Sequence, residues 1–477
     1  MFMRMVYDEH LAEAAYLIGC QRTGEAIIID PQRDVDRYEQ LAAANGLRIV
    51  ATAETHIHAD FVSGSRELAE RGAMVYVSDE GDADWKYQWL DRKVGGGAYR
   101  HRLLRHGDTF MIGNIEFRAV HTPGHTPEHI CFMITDRGGG ADRPIGVATG
   151  DFVFVGDVGR PDLLERAAGI VGKADDSAHA LYRSVREFMT WPDYLQVWPA
   201  HGAGSACGKA LGAVPSTTVG YEKMFNPAIR AAQSEDEFVR SILHGQPEPP
   251  MYFANMKRVN KVGPRVLGGV PSPDRVAAAH LASLDPRQHT IIDTRPWAKF
   301  RDGHIPGSLH IPLNSSFNTD AGSLVPEGRT LWLIVDQGRV EEAVRDLIRV
   351  GLDIFGGWTD PGEVDTLCSR PSAAMRIREV DIDGARDLIA RGTVSVLDVR
   401  RASEHAERHI DGSLNVSHTR LLGRMNEVPR DRTVLVHCRS GARSARACSL
   451  LAASGFDVVN MAGGMLAWEQ RPAVAGR

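Results

Sequence analysis

Apolar stretches of strand length alternate with amphipathic stretches of helix length in the first half of the chain. Residues 25–30 and 48–53 are mostly aliphatic and end in polar loops, whereas residues 34–45 between them repeat apolar positions at helical spacing. Strands that alternate with helices predict an α/β fold. We therefore expect a first α/β domain at residues 1–245.

Prolines interrupt this pattern between residues 246 and 273. They stand at positions 247, 249, 250, 264, 271 and 273, and several glycines accompany them. Because proline lacks an amide hydrogen and restricts its neighbours, such a segment favours neither helix nor strand. We expect residues 246–273 to be a linker without regular elements.

The remainder of the chain contains an internal repeat. The segments 292–295 and 304–309 match the segments 397–400 and 409–414 in sequence and at a constant separation. Two copies of one α/β unit are the simplest interpretation, and each is long enough to hold its own core. We expect domains at residues 274–369 and 375–477.

Composition narrows the function classes. The chain has 477 residues, 43% of them hydrophobic and 24% charged, with a net charge of −6. This charge is of the wrong sign for a phosphate-backbone binder, so nucleic acid is not an expected partner. The sequence contains no apolar run of about 18 residues, so we expect no membrane span and a cytoplasmic protein. Most of the six scattered cysteines are expected to be reduced and buried, and the oligomeric state, including a homo-oligomer, is left open.

Metal-ligating residues follow four predicted strands. His56, His58 and Asp60 come after the run at residues 48–53, and the stretch at 115–120 is followed by His125. Asp151 and His201 follow two further strand-like runs. Since strand ends hold loops rigidly while their side chains stay accessible, this arrangement predicts a metal site.

These segments resemble the metallo-β-lactamase superfamily. The resemblance implies a four-layer αβ/βα sandwich with metal at one edge. Hydrolytic members generally carry His-x-His-x-Asp-His and hold two metals, but here Phe61 occupies the last position. A phenyl ring cannot coordinate a metal, which argues against a binuclear site. Two imidazoles and one carboxylate, from His56, His125 and Asp151, suit one non-haem Fe(II) per chain.

The same ligand set is similar to that of the persulfide dioxygenase branch, as are the segments 159–162 and 181–185. The resemblance implies that Fe(II) binds O₂ and the sulfur of a low-molecular-weight thiol persulfide, with sulfite as product. Three further residues would then surround the ligands and orient them or move protons: His58, Asp60 and His201. Three others are candidate substrate-binding residues: Arg160, Tyr182 and Cys207.

A second candidate site lies in the last domain. Residues 433–437 read as a strand, 438–443 as a tight loop and 444–453 as a helix. Cys438 would lie in a cradle of backbone N–H groups near Arg439 and Arg443, which favours the thiolate and binds oxyanions such as sulfite or thiosulfate. A phosphatase loop has five residues between cysteine and arginine, whereas this loop has four. The block resembles the rhodanese family, in which such a cysteine carries sulfane sulfur as a persulfide.

The middle copy lacks this nucleophile. Its Val335 aligns with Cys438, and Cys368 lies too far along the chain to replace it. We interpret this copy as a packing or docking domain.

Three functions are compatible with these patterns. The favoured hypothesis is a persulfide dioxygenase fused to a thiosulfate sulfurtransferase that acts in sulfide oxidation. The first alternative is a dinuclear thioester hydrolase of the glyoxalase II type with an accessory rhodanese domain. The second is a non-catalytic sulfur carrier or sensor with a structural metal. The thiol carrier and the direction of sulfur flow stay open.

Overall fold

A computed structural model describes residues 1–163, 165, 172–205, 207–209, 211–246 and 248–470. The chain divides into two compact units, Met1–Val270 and Pro271–Arg477. The boundary between them lies inside the segment that we predicted as a linker.

The first unit contains two six-stranded sheets. The first sheet has the order β1-β2-β3-β4-β5-β6, with antiparallel pairing up to β3 and parallel pairing from β3 onward. Its strands are β1 (Phe2–Asp8), β2 (Glu13–Cys20), β3 (Glu25–Ile29), β4 (Arg48–Ala53), β5 (Met74–Ser78) and β6 (His101–Leu104). The second sheet has the order β12-β11-β10-β9-β8-β7. Its strands are β7 (Thr109–Ile112), β8 (Ile115–His121), β9 (Ile130–Asp136), β10 (Gly146–Gly150), β11 (Gln196–Pro199) and β12 (Thr217–Thr218).

The two sheets pack face to face, and helices cover their outer faces. Strand β2 is buried along its whole length because it lies between two hydrophobic cores. Tyr16 and Ile18 pack into the core between the sheets, whereas Leu17 faces the core under the helices, as the two-residue period of a strand requires. This confirms the αβ/βα sandwich. The helices are α1 (Asp36–Ala44), α2 (Ser65–Glu70), α3 (Lys173–Phe188), α4 (Val219–Phe225), α5 (Pro227–Ala231), α6 (Glu235–Leu243) and α7 (Tyr252–Val262).

Helix α7 lies within residues 246–273, so the prediction that this segment has no regular elements is wrong. The prolines flank the helix rather than interrupt it: Pro250 precedes its first residue and Pro264 follows its end. Proline disrupts a helix only in its interior, where an amide hydrogen is needed. Phe253 and Met256 of α7 are buried.

The second unit holds two parallel sheets, one in each copy of the repeat. The middle domain has the order β14-β13-β15-β16, with β13 (His289–Asp293), β14 (Leu309–His310), β15 (Thr330–Ile334) and β16 (Phe355–Thr359). Its helices are α8 (Ala278–Ala282), α9 (Trp297–Asp302), α10 (Phe317–Leu324), α11 (Val340–Arg349) and α12 (Pro361–Cys368).

The last domain repeats this order and adds one strand, giving β17-β21-β20-β18-β19. The strands are β17 (Arg378–Val380), β18 (Val394–Asp398), β19 (Leu414–Asn415), β20 (Thr433–His437) and β21 (Val458–Met461). The helices are α13 (Ile382–Ala390), α14 (Ala402–Glu407), α15 (Ala442–Ala453) and α16 (Gly464–Gln470). Asp293 pairs with His310 in the middle sheet, and Asp398 pairs with Asn415 in the last sheet, so the sequence repeat is also a structural repeat.

Two findings in the described part of the chain relate to its composition. All six cysteines are buried and free of disulfides. Every helix there is too short or too polar to cross a lipid bilayer.

Candidate metal centre and sulfur-transfer loop

The four predicted strand ends deliver their polar side chains to one edge of the sandwich. His56 follows β4, His125 follows β8, Asp151 follows β10 directly and His201 follows β11. All four side chains are buried there, and the strands that precede them fix the positions of their backbone.

His56, His125 and Asp151 form a compact set of ligand atoms, all within 4.8 Å of one another. Nε2 of His125 lies 3.3 Å from Asp151 Oδ2, and Nε2 of His56 lies 4.0 Å from the same oxygen. Asp151 is only 1% exposed, and neither of its carboxylate oxygens has a hydrogen-bond partner among the described residues. A buried carboxylate without hydrogen bonds is costly, so the donor set fits a cation.

Neighbouring groups turn both imidazoles so that Nε2 faces the centre. Asp30 accepts hydrogen bonds from the Thr55 amide and hydroxyl groups, so the Thr55 oxygen is free to accept one from Nδ1 of His56 at 3.0 Å. Nδ1 of His125 donates to the carbonyl of Arg160 at 3.1 Å. Such outer contacts fix the tautomer of a ligating histidine.

His129 was not predicted from the sequence, but it contacts two residues of the candidate ligand set, His56 and Asp151. Its ring stacks on that of His56 with centroids 5.3 Å apart, and its Nε2 accepts the backbone N–H of Asp151 at 3.1 Å. Burial lowers the pKa of His129 to about 3, which keeps this nitrogen unprotonated. Its position four residues after His125 was the available signal.

His201 links the ligand set to a second acidic group. Its Nε2 lies 3.3 Å from both Asp151 Oδ1 and Asp60 Oδ2, and its Nδ1 lies 3.0 Å from Glu13 Oε2. Burial tends to lower the pKa of His201, but Asp151 and Glu13 raise it well above the usual value. Glu13 is fully buried and was also missed, because it opens a strand rather than ending one.

Cys207 lies beside His201, since ligand atoms of Asp60, His201 and Cys207 fall within 4.8 Å of one another. Burial raises the pKa of its thiol to about 12, so the thiol is protonated at neutral pH. The structure thus brings Cys207 next to the metal centre. A role in binding substrate stays a prediction.

The other two candidate substrate residues contact the surrounding fold. The guanidinium of Arg160 forms a two-pronged ion pair with Asp162 at 2.8 and 2.9 Å and is fully buried. The ring of Tyr182 on α3 packs against Phe238 of α6, with centroids 5.8 Å apart. These interactions are with other residues of the fold, so the roles of Arg160 and Tyr182 in binding substrate stay predictions.

In the last domain, the thiol of Cys438 lies in a loop between β20 and α15. The N–H of Gly441 donates to its Sγ at 3.1 Å, and Gly441 has φ = 103°, a conformation that favours glycine. A Cβ atom at Gly464 would lie 2.3 Å from the Cys438 carbonyl oxygen, so the chain can approach the loop only with glycine there.

The two arginines of this loop differ in their surroundings. Arg443 is half-buried and pairs with both carboxylate oxygens of Glu404, at 2.7 and 2.8 Å. Burial would raise the pKa of Glu404, but Arg443 lowers it to about 2. Arg439 is exposed, and its carbonyl accepts the N–H of Leu466 at 3.0 Å. Both predicted arginines therefore lie on the loop, and among the described residues Arg443 forms an ion pair whereas Arg439 forms none.

Comparisons with known proteins assign both halves of the chain. The family model for the metallo-beta-lactamase superfamily matches residues 10–201, and that for the rhodanese-like domain matches residues 276–352 and 381–471. A probable metallo-hydrolase of Burkholderia pseudomallei is 30% identical over 255 residues, covering 49% of this chain and 82% of that protein. The chain belongs to the metallo-β-lactamase superfamily. Two rhodanese-like domains follow the metallo-β-lactamase fold.

Two more relatives of this superfamily member are informative. The mitochondrial persulfide dioxygenase ETHE1 of Bos taurus is 28% identical over 244 residues, covering 50% of this chain and 80% of that protein. A crystal structure described as a metallo-beta-lactamase from Staphylococcus aureus is 38% identical with a TM-score of 0.67. It covers 76% of this chain and 99% of that one.

This metallo-β-lactamase fold departs from the hydrolytic pattern at Phe61, and His58 keeps the expected residue type but not an orientation toward Asp151. Nε2 of His58 lies 3.2 Å from Asp30 Oδ1 and 3.0 Å from Glu54 Oε2, which turns it away from Asp151. The Phe61 ring packs on the His58 ring with centroids 4.4 Å apart. Burial opposes protonation of His58, but Asp30 and Glu54 raise its pKa well above the usual value.

A residue distant in sequence holds this loop of the superfamily fold. The side-chain amide of Asn260 on α7 donates to the carbonyls of His58 and Phe61 at 2.8 and 2.7 Å. The backbone N–H of Ser63 donates to the side-chain oxygen of Asn260 at 2.9 Å. Asn260 therefore fixes the backbone of the segment from His58 to Ser63.

The middle rhodanese-like domain keeps the framework without the reactive loop. Val335 is buried where the last domain has Cys438. Gly338 stands at the position of Gly441 but does not share its positive φ. Cys368 ends α12 and lies outside the loop.

Proposed function

We propose that this chain is an Fe(II) enzyme that oxidises a low-molecular-weight thiol persulfide with O₂ and transfers sulfane sulfur through Cys438. The observation that carries the proposal is the incomplete second metal site. Phe61 offers no ligand atom, and Nε2 of His58 is held between two carboxylates. Three ligands are left: His56, His125 and Asp151.

This ligand set fits one metal ion with open coordination positions. Two imidazoles and one carboxylate are the facial arrangement of non-haem Fe(II) oxygenases. Bound there, Fe(II) would supply adjacent positions at which O₂ and a persulfide sulfur can react. Similarity to persulfide dioxygenases at 28% identity supports the assignment to sulfur metabolism.

The surrounding residues would orient the ligands and handle protons. His201 Nε2 lies between Asp60 and Asp151, so it can hold a proton beside the ligand carboxylate. The Phe154 ring packs on the other side of His201 with centroids 5.9 Å apart. Such apolar cover limits the access of water to the centre.

The second half of the proposal concerns Cys438. Its thiolate attacks the sulfane sulfur of thiosulfate, the S–S bond breaks and sulfite leaves with the bonding electron pair. The Gly441 N–H, 3.1 Å from Sγ, stabilises the negative sulfur. Sulfite is the product of the dioxygenase half and a partner of the rhodanese half, which explains chemically why one chain carries both.

Metal analysis combined with O₂ uptake tests the proposal. Purified protein should contain about one iron per chain, and His56→Ala, His125→Ala or Asp151→Ala should lose both iron and O₂ uptake with a supplied persulfide. Cys438→Ser is the matched control: it should keep O₂ uptake and lose sulfur transfer from thiosulfate to cyanide. Two zinc ions per chain with thioester hydrolysis under nitrogen would contradict the proposal and support the hydrolase.

A further inference from the structure

The middle rhodanese-like domain contacts helix α15, which begins just after the Cys438 loop. Helix α15 spans Ala442–Ala453, and Arg446 stands one turn after its first residue. Nε of Arg446 lies 2.5 Å from Oδ2 of Asp320, which belongs to α10 of the middle domain. Nη2 of Arg446 donates to the hydroxyl of Ser316, also in the middle domain, at 3.1 Å. An interdomain ion pair therefore holds the beginning of α15.

Further polar contacts surround this ion pair. The other carboxylate oxygen of Asp320, Oδ1, lies 3.2 Å from Nε2 of His418 in the last domain. The backbone N–H of His310 in the middle domain donates to the Ser449 hydroxyl at 3.0 Å. That hydroxyl donates to the carbonyl of Arg446 at 2.7 Å. Both the side chain and the backbone of Arg446 are thus linked to the middle domain.

The burial of the ion pair indicates what it contributes. Asp320 is 1% exposed and Arg446 is 5% exposed. Removing two charges from water costs about as much free energy as their attraction returns, so a buried pair adds little stability over apolar residues of the same size. The pair does require its two groups to take one relative position, because charge-assisted hydrogen bonds depend on geometry. We therefore expect it to fix the position of α15 more than to stabilise the fold.

The position of α15 decides whether the Cys438 loop is correctly formed. The N–H of Gly441, the residue before α15, donates to Cys438 Sγ at 3.1 Å. The N–H of Ala445 in the first turn donates to the Gly441 carbonyl at 3.1 Å, so the loop and this turn move together. A displacement of about 1 Å would take the Gly441 N–H beyond hydrogen-bond range of the sulfur. Misplacement of this size can cost roughly a hundredfold in rate.

The middle domain also contacts the segment that supports the loop from its other side. The N–H of Met465, which follows β21, donates to the Cys438 carbonyl at 2.8 Å. Asn460 on β21 donates to Glu379 at 2.7 Å, and the indole N–H of Trp297 in the middle domain donates to the same carboxylate oxygen at 2.6 Å. Contacts with the middle domain therefore reach both segments that support the Cys438 loop.

We propose that Asp320 of the middle domain is a positioning residue for sulfur transfer. Through its ion pair with Arg446 it holds the first turn of α15, and with that turn the N–H group directed at Cys438 Sγ. The inference rests on the proposed sulfur transfer at Cys438. It gives the middle domain, which has Val335 in place of the nucleophile, a role in the reaction of the last domain.

A paired substitution in the full-length protein provides the first test. Asp320→Asn combined with Arg446→Met removes both charges together, so no unpaired charge is left buried and the free energy of unfolding in urea should stay near the parent value. The kcat/KM values for thiosulfate and for cyanide should both fall roughly tenfold, because the Cys438 sulfur reacts in both steps. Parent rates in the paired variant, or a loss confined to one of the two substrates, would overturn the proposal.

Arg446→Lys tests the ion pair by rescue. It keeps a cation opposite Asp320, so its rates should fall less than about threefold, whereas Arg446→Met alone should lose roughly tenfold. Equal losses in the two variants would contradict the proposal.

The matched control applies the same substitutions to another buried ion pair. Asp346 and Arg349 lie 3.0 Å apart within α11 of the middle domain, with side chains 3% and 8% exposed. Asp346→Asn combined with Arg349→Met should keep both rates at the parent values, since this pair joins two residues of one helix. A loss equal to that of the interdomain pair would overturn the proposal.

Hydrogen exchange separates this proposal from the proposed function, because it does not depend on sulfur transfer. In the variant that combines Asp320→Asn with Arg446→Met, the backbone amides of residues 439–445 should exchange roughly tenfold faster than in the parent, and those of β13 should be unchanged. If the parent transfers no sulfur but this difference is present, the sulfur transfer is wrong and Asp320 still positions the loop. If sulfur is transferred and the exchange of residues 439–445 is unchanged, the positioning role is wrong.

Discussion

Replacing Phe61 by histidine tests the proposal that the metal centre holds one metal. Phe61 is 0% exposed, and full burial of a phenylalanine side chain contributes about 2 kcal/mol. Phe61→His should therefore lower the free energy of unfolding of the metal-free first unit by about 2 kcal/mol. At about 2–4 °C per kcal/mol for a domain of this size, its Tm should fall by about 6 °C.

The new imidazole also restores a ligand beside His58, whose ring lies 4.4 Å from the Phe61 ring. A metal that binds only the folded state stabilises it by about 2.7 kcal/mol at one hundred times its Kd. Added Zn²⁺ or Fe²⁺ should thus recover most of the lost stability and raise metal content above one per chain.

Phe61→Leu is the matched control, because it loses a similar packing contribution without gaining a ligand. Thermal unfolding with and without metal, together with elemental analysis, measures both effects. If Phe61→His and Phe61→Leu respond equally to metal, residue 61 does not determine the number of metals, and the reasoning from the incomplete site is refuted.

Three further predictions concern the rhodanese-like domains. Glu404→Gln should remove about 1 kcal/mol of stability at neutral pH, a value reduced because the ion pair is partly exposed. The pKa of Glu404 is lowered from 4.5 to about 2, so the stabilisation is complete above about pH 4.5 and disappears as the pH falls toward 2. Urea unfolding at several pH values measures this loss. Gly464→Ala should reduce thiosulfate-to-cyanide transfer at least tenfold, since its Cβ would lie 2.3 Å from the Cys438 carbonyl. Gly412→Ala is the control for backbone strain, because Gly412 also has a positive φ, of 75°, but its Cβ would meet nothing within 4 Å; it should lose some stability and keep the transfer activity. Val335→Cys in a Cys438→Ser background should transfer no sulfur, because Gly338 lacks the positive φ of Gly441; measurable cyanide activity would contradict this.

The sequence predicts the parts of the metal centre that follow strands. His56, His125 and Asp151 stand just after aliphatic runs, and a run's end is visible in the sequence because polarity changes there. The sandwich was predicted from the resemblance to the metallo-β-lactamase superfamily, and the repeated α/β domains from two matching segments at a constant separation. Burial patterns leave a local signature, so they can be recognised without a structure.

Contacts between distant segments leave no such signature. Glu13 contacts His201, and Asn260 contacts the carbonyl of His58, each from an element far away in the chain. Neither stands in a recognisable motif. Helix α7 was not predicted because a segment with many prolines does not show by its composition whether the prolines flank a helix or interrupt it.

The bonds from Asn260 to the loop of His58 and Phe61 impose an order on biosynthesis. A ribosome makes the chain from its amino terminus, so the segment that bears the first two histidines emerges well before its clamp on α7. Until residue 260 has left the exit tunnel, three hydrogen bonds, each worth about 1 kcal/mol, are missing from that segment. In the nascent chain the segment from His58 to Ser63 is therefore held by fewer contacts than in the finished protein, and we expect it to reach its final position only after α7 has been translated.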